Sequence, residues 1–513
     1  MGKFFIGVDV GTGSARAGLF DNSGHLHAKA QAPIALHRPE SAWAEQSSTQ
    51  IWQAVCQSVQ ECLNLAAIAG NDVNGISFSA TCSLVLLDQQ GEPLCLSEGE
   101  EQWDIICWMD HRATAQAEEI SKSGSTVLNN LGGVMSPEMQ IPKLMWLKKK
   151  RPDLWKQLGF AADLADFLTY RCSGSIDRSV CTLGCKWTYD ADKQGWDKGF
   201  LADVGLSDLQ ERAQLPDTAR TVGSSIGPLT DVAAKELGLG ATCQVAIGLI
   251  DAHAGALGTL GVYAPQDIDR HMALIAGTSN CHIALSSIRR EVPGVWGPYA
   301  GAVTANTWAN EGGQSASGAL LDHVVKLLSN AEPSDATHDD VTKQINERLS
   351  ADPEFAYDVH VIPDILGNRS PFADASMKGA IMGLSLESAE ETFLKVYWAA
   401  AASLAYGTRL IVDRLNAHGY HIDMIHLSGG HRKSELLLKL YADATGCEIV
   451  LSPSDEPVLS GAAVAAMLPF FAEKGLAGIA DQFQGEHEIR QPDSTQRELH
   501  AKRYQSFIDY YAR

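Results

Sequence analysis

What the sequence is short of narrows its function first. No stretch of its 513 residues matches GxxxxGK[ST], so a P-loop nucleotide site is excluded. Positive charge is scarce: 40 Lys and Arg face 62 Asp and Glu, a formal net charge of −22. That balance argues against nucleic acid or an anionic membrane surface as a partner, and simple solubility accounts for it. A phosphate-bearing ligand would need a local positive site built from backbone N–H groups, a metal or a few Lys/Arg. Apolar runs such as GAAVAAMLPFF at 461–471 are too short to span a bilayer and carry a proline. Asp9 interrupts the apolar start where a signal peptide needs continuity, and the Ser/Thr of a myristoylation signal is missing. The 11 cysteines are an odd number without framework spacing. Cys172, Cys181 and Cys185 come nearest to a cluster. They lack a second Cys pair or a His at zinc spacing, so buried free thiols in a reducing, cytoplasmic compartment are expected. Low-complexity linkers and long charge runs are missing too.

What is present is ordinary globular composition, 45% hydrophobic and 20% charged, at a length suited to two large domains. Phe4–Val10 reads as an apolar strand, followed by the turn Gly11-Thr12-Gly13-Ser14, a strand through Ala17–Phe20 and a third from His25. A helix is expected over Ser48–Ala67, with Ile51, Val55, Val59 and Cys62 on one face, then a strand at Gly75–Ser79. The second half opens similarly: strand Met272–Ala276, turn Gly277-Thr278-Ser279-Asn280, strand Cys281–Ser286. Later come a long helix at about Ala389–Leu415, a strand at Ile425–Ser428, a Gly-Gly turn, a helix at Ser434–Thr445, a strand at Glu448–Leu451 and a small-residue helix from Ser460. The fold class is therefore α/β, a fold-scale duplication divided into 1–262 and 263–513.

The turn at Gly11–Ser14 fails the Rossmann fingerprint, because the third glycine position is Arg16. What remains is Asp9-x-Gly-Thr-Gly-Ser-x-Arg16 at a strand–turn–strand corner. Glycines there let backbone N–H groups approach phosphate oxygens, Thr12 and Ser14 add hydroxyl donors, and Asp9 can hold a hydrated Mg²⁺. A hairpin with an incidental Asp explains this segment equally well when it is taken alone. Gly277-Thr278-Ser279 is a second such turn, and Gly429-Gly430 after an apolar strand is a third, suited to adenosine. Three in this order fit a nucleotide clamped between two domains.

At this point the residues resemble the FGGY carbohydrate kinases of the actin/hexokinase superfamily, over nearly the whole chain. The resemblance rests on VDVGTGSARAGLFD from Val8, AWAEQ at 42–46, CWMDHRA at 107–113 and PEMQIPKLMWLKKKRPDLW at 137–155. It continues through GLIDAHAGALG at 248–258, AGTSNCH at 276–282 and NEGGQSASGALLDH at 310–323. GNRSPFADASMKGAIMGL at 367–384, SGGHRKS at 428–434 and EPVLSGAAVAA at 456–466 complete it. Only two glycines follow Ser428, where many members carry three, and this resembles the ribulokinase branches.

The resemblance implies two ribonuclease H-like, actin/hexokinase-type domains around a central cleft. It implies ATP with Mg²⁺, and a small sugar as acceptor. Gly11, Thr12, Gly13, Ser14, Arg16, Gly277, Thr278, Ser279, Gly429 and Gly430 would meet the nucleotide, and Asp9 the metal. It also implies that Asp251 is the catalytic base and a sugar ligand. A carboxylate within reach of a sugar hydroxyl can accept its proton as the γ-phosphoryl transfers. Asp251 alone also suits a helix start before Ala252–Ala256, and both roles can hold. His253 is open between sugar contact and core packing, and Lys143 between ion pairing and direct contact.

For the acceptor, SATCSLVLLD at 79–88 ends a strand where members contact substrate, and its TCSLV string resembles the D-ribulokinase branch. Thr81, Cys82 and Ser83 are expected to touch the sugar, with Asp110 and Arg112 from the neighbouring segment. Trp103 and Trp108 are expected in the core. The expected reaction is phosphorylation of D-ribulose by ATP. L-ribulose, xylulose or ribitol are the alternative acceptors, and an actin-like ATPase or sugar sensor is the rival from another class. A homodimer is compatible with the resemblance.

Overall fold

Glycine decides where the first strand can sit. The strand β1, Phe4–Val10, is apolar and buried along almost its whole length, as befits a central strand covered on both faces. At Gly7 a Cβ would lie 2.3 Å from the Leu459 carbonyl oxygen, so only glycine admits the helix that crosses the strand there. The computed structural model of the protein describes residues 4–97, 99, 101–261, 267–329, 331–452, 454–483 and 485–511. The expected boundary at 262/263 lies outside the described residues.

Two large sheets form the framework. In the first, β1 pairs antiparallel with β2 (Ser14–Asp21), and β2 with β3 (Leu26–Pro33). On its other edge β1 runs parallel to β4 (Val73–Ala80). Beyond β4 lie β6 (Gln244–Ile250), also parallel, and the short antiparallel edge strand β5 (Ser225–Pro228), giving the order β3-β2-β1-β4-β6-β5. The helix α1 (Ser48–Ala66) covers one face. Its N-terminus is capped by the Ser47 hydroxyl, which accepts from the Gln50 N–H, and Ile51, Val55, Val59 and Cys62 are buried.

The second sheet repeats the plan. β7 (His271–Ala276) and β8 (Asn280–Ser286) form the opening hairpin, followed by β9 (Trp296–Ala300) and β10 (Trp308–Gln314). β11 (Met424–Gly429) and β12 (Glu448–Leu451) run parallel to β7, with β13 (Glu488–Arg490) at the edge. The order is β9-β10-β8-β7-β11-β12-β13. These bounds lie within one or two residues of the sequence expectation for β4, β7, β8 and β11, and Glu448–Leu451 is as expected.

The small-residue helix begins at Pro457 rather than Ser460, because proline fits the first helical turn. It is also not confined to the second half. This helix, α5 (Pro457–Met467), packs against β1 and β4 of the first sheet and against α3 (Asp251–Leu260). α3 in turn packs on β7. Two further helices, α2 (Val180–Lys186) and α4 (Ala389–Asn416), lie at the cleft and in the second core. The α3–α5 crossing is backbone on backbone: a Cβ on Gly461 would lie 1.9 Å from the Ala254 carbonyl oxygen, and one on Gly258 2.1 Å from that of Pro457. Each half thus lends a helix to the other across the 262/263 division. Among the described residues, no helix is long and apolar enough to cross a membrane.

Candidate active site

Register places the site. Val10, Ala80 and Ile250 are Cα partners at the carboxyl ends of three adjacent parallel strands. The next residues, Gly11, Thr81 and Asp251, therefore leave the sheet side by side, the usual place for ligands in such sheets. Asp251 is the first residue of α3, half-buried, and its Oδ1 accepts from the Ala252 N–H at 2.7 Å. Burial and then the nearby Asp9 raise its pKa to about 6.

Asp9 sits at the end of β1, 1% exposed. The Ser79 hydroxyl donates to its Oδ1 at 3.1 Å, and Arg16, its cross-strand partner, donates to Oδ2. Arg16 also faces Glu456 at 3.5 Å and feels Asp251, and together these acids raise its pKa, Asp9 most of all. Glu456 is also bound by Lys29 at 2.8 Å, so three carboxylates, Asp9, Glu456 and Asp251, meet two cations at the cleft floor. That surplus of negative charge suits a bound cation, so the residues present fit Mg²⁺ held through Asp9.

Two of the three glycine turns close on themselves, and the third opens a short helical turn at Gly430–Lys433. Gly11 N–H donates to Ser14 O, and Gly277 N–H to Ser279 O, both at 3.0 Å. Gly13, Gly277 and Gly430 have open space where a Cβ would stand. Gly429 has φ of +85°, and a Cβ there would meet the Ala276 oxygen at 2.3 Å, so it must be glycine. Behind these turns a buried polar cluster holds their shape: His431 bonds Ser317 at 3.3 Å and Tyr441 at 3.1 Å, while Asn280 donates to Tyr441 and Gln314.

A cavity of about 70 Å³ lies between the two halves. Thr81, Cys82 and Asp251 line it from the first half, with Ser279, Cys281 and Glu311 from the second. Lys186, at the end of α2, also enters it and pairs with Glu311 at 3.3 Å, both nearly fully buried. Burial opposes both charges, yet their mutual attraction prevails: Lys186 is held well above its ordinary pKa and Glu311 below its own. The Lys186 ammonium stands 4.3 Å from the Trp296 ring centre.

Several expected contacts turn out otherwise. Asp110 and Arg112 do not line the cavity. Their side chains are fully buried and grip each other, with Arg112 Nε to Asp110 Oδ1 at 2.9 Å and Nη2 to both Asp110 and Glu45 at 2.8 Å. The guanidinium packs against the Trp43 and Trp146 rings, at 4.2 and 5.0 Å, which themselves meet edge to face, so the group is locked into the buried framework. Ser83 is also behind the cavity: it accepts from Trp108 N–H at 3.2 Å and bonds Thr81 Oγ1 at 3.1 Å, orienting its neighbour. Among the described residues, Lys143 makes neither an ion pair nor a contact with this cavity. It donates to the Cys107 carbonyl at 2.9 Å, and burial lowers its pKa.

Trp108, expected in the core, lines the cavity, and its Nε1–H donates to Thr12 Oγ1 at 3.0 Å. Trp103 is not there; it stacks on His37. His253 is wholly buried, 3.5 Å from Cys185 Sγ, and burial lowers its pKa to about 4. The fold thus gives Cys181 and Cys185 the histidine their sequence spacing lacked, with donor atoms within 4.8 Å. Burial holds the Cys185 thiol well above its ordinary pKa, which opposes the thiolate a metal requires. Lys186, Glu311, Glu138, Arg369 and Trp296 line the cavity without having been singled out from sequence. Glu311, Glu138 and Arg369 stand inside the motif segments, but nothing in the order of residues pairs them.

Comparison with known proteins bears on this geometry. Residues 4–258 match the N-terminal domain, and 272–469 the C-terminal domain, of the FGGY family of carbohydrate kinases. A Xenopus laevis FGGY carbohydrate kinase domain-containing protein is 39% identical, covering 98% of this chain and 96% of the relative. A D-ribulokinase of Saccharomyces cerevisiae is 36% identical, over 88% of this chain and 69% of the relative. Among solved structures, xylulose kinase from Rhodospirillum rubrum has a TM-score of 0.82 at 22% identity, covering 99% of this chain and 98% of that one. Gluconate kinase from Lactobacillus acidophilus has 0.84 at 20%, with the same coverage. These likenesses show the two-domain actin/hexokinase-like fold.

Proposed function

The chain belongs to the FGGY family of carbohydrate kinases, so it is a sugar kinase that uses ATP, and on that premise we propose that its acceptor is D-ribulose. The observation that carries the reading is the convergence of Asp251, Thr81 and the Lys186–Glu311 pair on one small cavity between the halves. Short hydroxyl and thiol groups in the Thr81-Cys82-Ser83 segment leave room beside a carbonyl-bearing pentose. The Lys186 ammonium and the Glu311 carboxylate can fix its carbonyl and hydroxyl oxygens. The yeast relative, itself named a D-ribulokinase, supports the same choice.

Asp251 accepts the proton of the terminal sugar hydroxyl as the γ-phosphoryl group passes to that oxygen. The transition state is loose, so placement and charge neutralisation outweigh deprotonation. The turns at Thr12–Ser14 and Thr278–Ser279, closed by the Gly11 and Gly277 N–H groups, hold the phosphates through backbone N–H and hydroxyl groups, and Gly429–Gly430 lies against the nucleoside. Mg²⁺, held through Asp9, neutralises phosphate charge when bound. Closure of the two halves excludes water and so limits wasteful hydrolysis.

The test is phosphate transfer from ATP to a panel of D-ribulose, L-ribulose, D-xylulose, ribitol and glycerol. D-ribulose should give the highest kcat/KM. A preference for xylulose or glycerol would overturn the assignment. Sugar-independent ATP hydrolysis coupled to polymerisation would favour an actin-like role instead.

A further inference from the structure

Next to the 70 Å³ cavity lies a second, roomier one of about 550 Å³ between the same two halves. Asp251 lines only the small cavity, whereas Glu138, Trp296 and Arg369 line both. These three residues therefore form the partition, at the side of the sugar site away from the catalytic carboxylate.

The partition is built rather than incidental. Arg369 Nη2 reaches Glu138 Oε1 at 3.3 Å, an ion pair joining the two halves. The guanidinium lies between the rings of Trp108 and Trp296, at 5.7 and 5.4 Å. Its backbone-side approach is open only because residue 313 is glycine: a Cβ there would lie 2.6 Å from Arg369 Cδ and 2.9 Å from Nη1. Nearby Glu138 and Glu311 charges oppose its burial and hold its pKa raised. Among the described residues its Nε, though buried, has no hydrogen-bond partner.

We propose that the Glu138–Arg369 pair is the end wall of the acceptor site and sets the upper length of the ketose. This inference rests on the reading that the chain phosphorylates a ketose at Asp251. A five-carbon chain held at Asp251 by its terminal hydroxyl ends at the wall. A longer one must displace the pair, and only behind it is there room. The pair is thus a specificity-determining feature and takes no part in phosphoryl transfer.

The experiment compares kcat/KM for ketoses of five, six and seven carbons in the wild type and in Glu138→Ser/Arg369→Ala. The double change removes both partners and leaves no orphaned charge. The ratio of seven-carbon to five-carbon kcat/KM should rise at least tenfold. If the double variant does not fold, Glu138→Gln, which ends the ion pair but keeps a hydrogen-bond acceptor for Arg369, should shift the ratio in the same direction. A folded variant that loses activity equally on every chain length makes the pair an interdomain latch and overturns the proposal. So does a wild type that already accepts seven carbons as well as five. A wild type active on no ketose overturns the ketose reading itself, and this proposal with it.

Discussion

Asp251 is caught between two demands. Burial and Asp9 raise its pKa to about 6, so it stays a competent proton acceptor only above that pH. The rate of transfer should fall as pH drops through about 6. Asp251→Asn should lose ~10²–10⁴-fold in kcat while ATP binding persists, checked by steady-state kinetics and calorimetry. Near-normal turnover would remove the base assignment. The same raised pKa has a stability sign. A carboxyl whose pKa is higher folded than unfolded favours the fold below its unfolded value of 3.8, and that support is lost as pH rises through about 6. At pH 8 the Asn variant should therefore melt at or above the wild-type temperature, with the gap narrowing at pH 5 in thermal melts. Lys186→Met carries the opposite expectation. It orphans buried Glu311, lowering stability, and should raise the ketose KM about 10–100-fold, the worth of one charged hydrogen bond, with the ATP KM unchanged. A KM for ketose that does not move would take Lys186 out of the sugar site.

At the scale of the element, the glycine turns separate conformational need from ligand approach. Gly429→Ala puts a Cβ at 2.3 Å from the Ala276 oxygen with φ of +85°, and should cost about 1–3 kcal/mol in denaturant unfolding. Gly430→Ala meets open space, so it should fold normally yet raise the ATP KM if the phosphates or nucleoside approach that backbone. An unchanged KM would mean that the ligand does not. These elements were legible in the sequence because each rests on neighbours: apolar runs such as Phe4–Val10 closed by Gly-Thr turns need no distant partner to be recognised. The acceptor side was legible only in part. Thr81 and Cys82 follow an apolar strand and line the cavity. Asp110 and Arg112 do not, because Trp43 and Trp146, far off in the chain, close over the guanidinium. Lys186 meets Glu311 across more than a hundred residues, and a pairing of that kind has no local periodicity to announce it.

At the scale of the whole molecule, the two opening hairpins mark a duplicated plan, and the packing ties its two copies together. α5 covers the first sheet over Gly7 and Gly75, and α3 leans on β7 of the second. Fragments 1–262 and 263–513 expressed separately should each expose a broad apolar face and aggregate. The intact chain should unfold in one calorimetric transition, with the van't Hoff and calorimetric enthalpies in agreement. Two well-separated transitions, or a soluble 1–262 fragment with native circular dichroism, would contradict this.

The bare crossing of α3 and α5 also restricts how the lobes can swing. With main chain against main chain at Gly258 and Gly461, there is no long side chain to tilt and absorb sliding, so the contact behaves as a pivot pin. Spectroscopic labels placed beside the pin should hold their spacing when nucleotide and sugar are added, while labels on the outer rims of the two lobes should draw together.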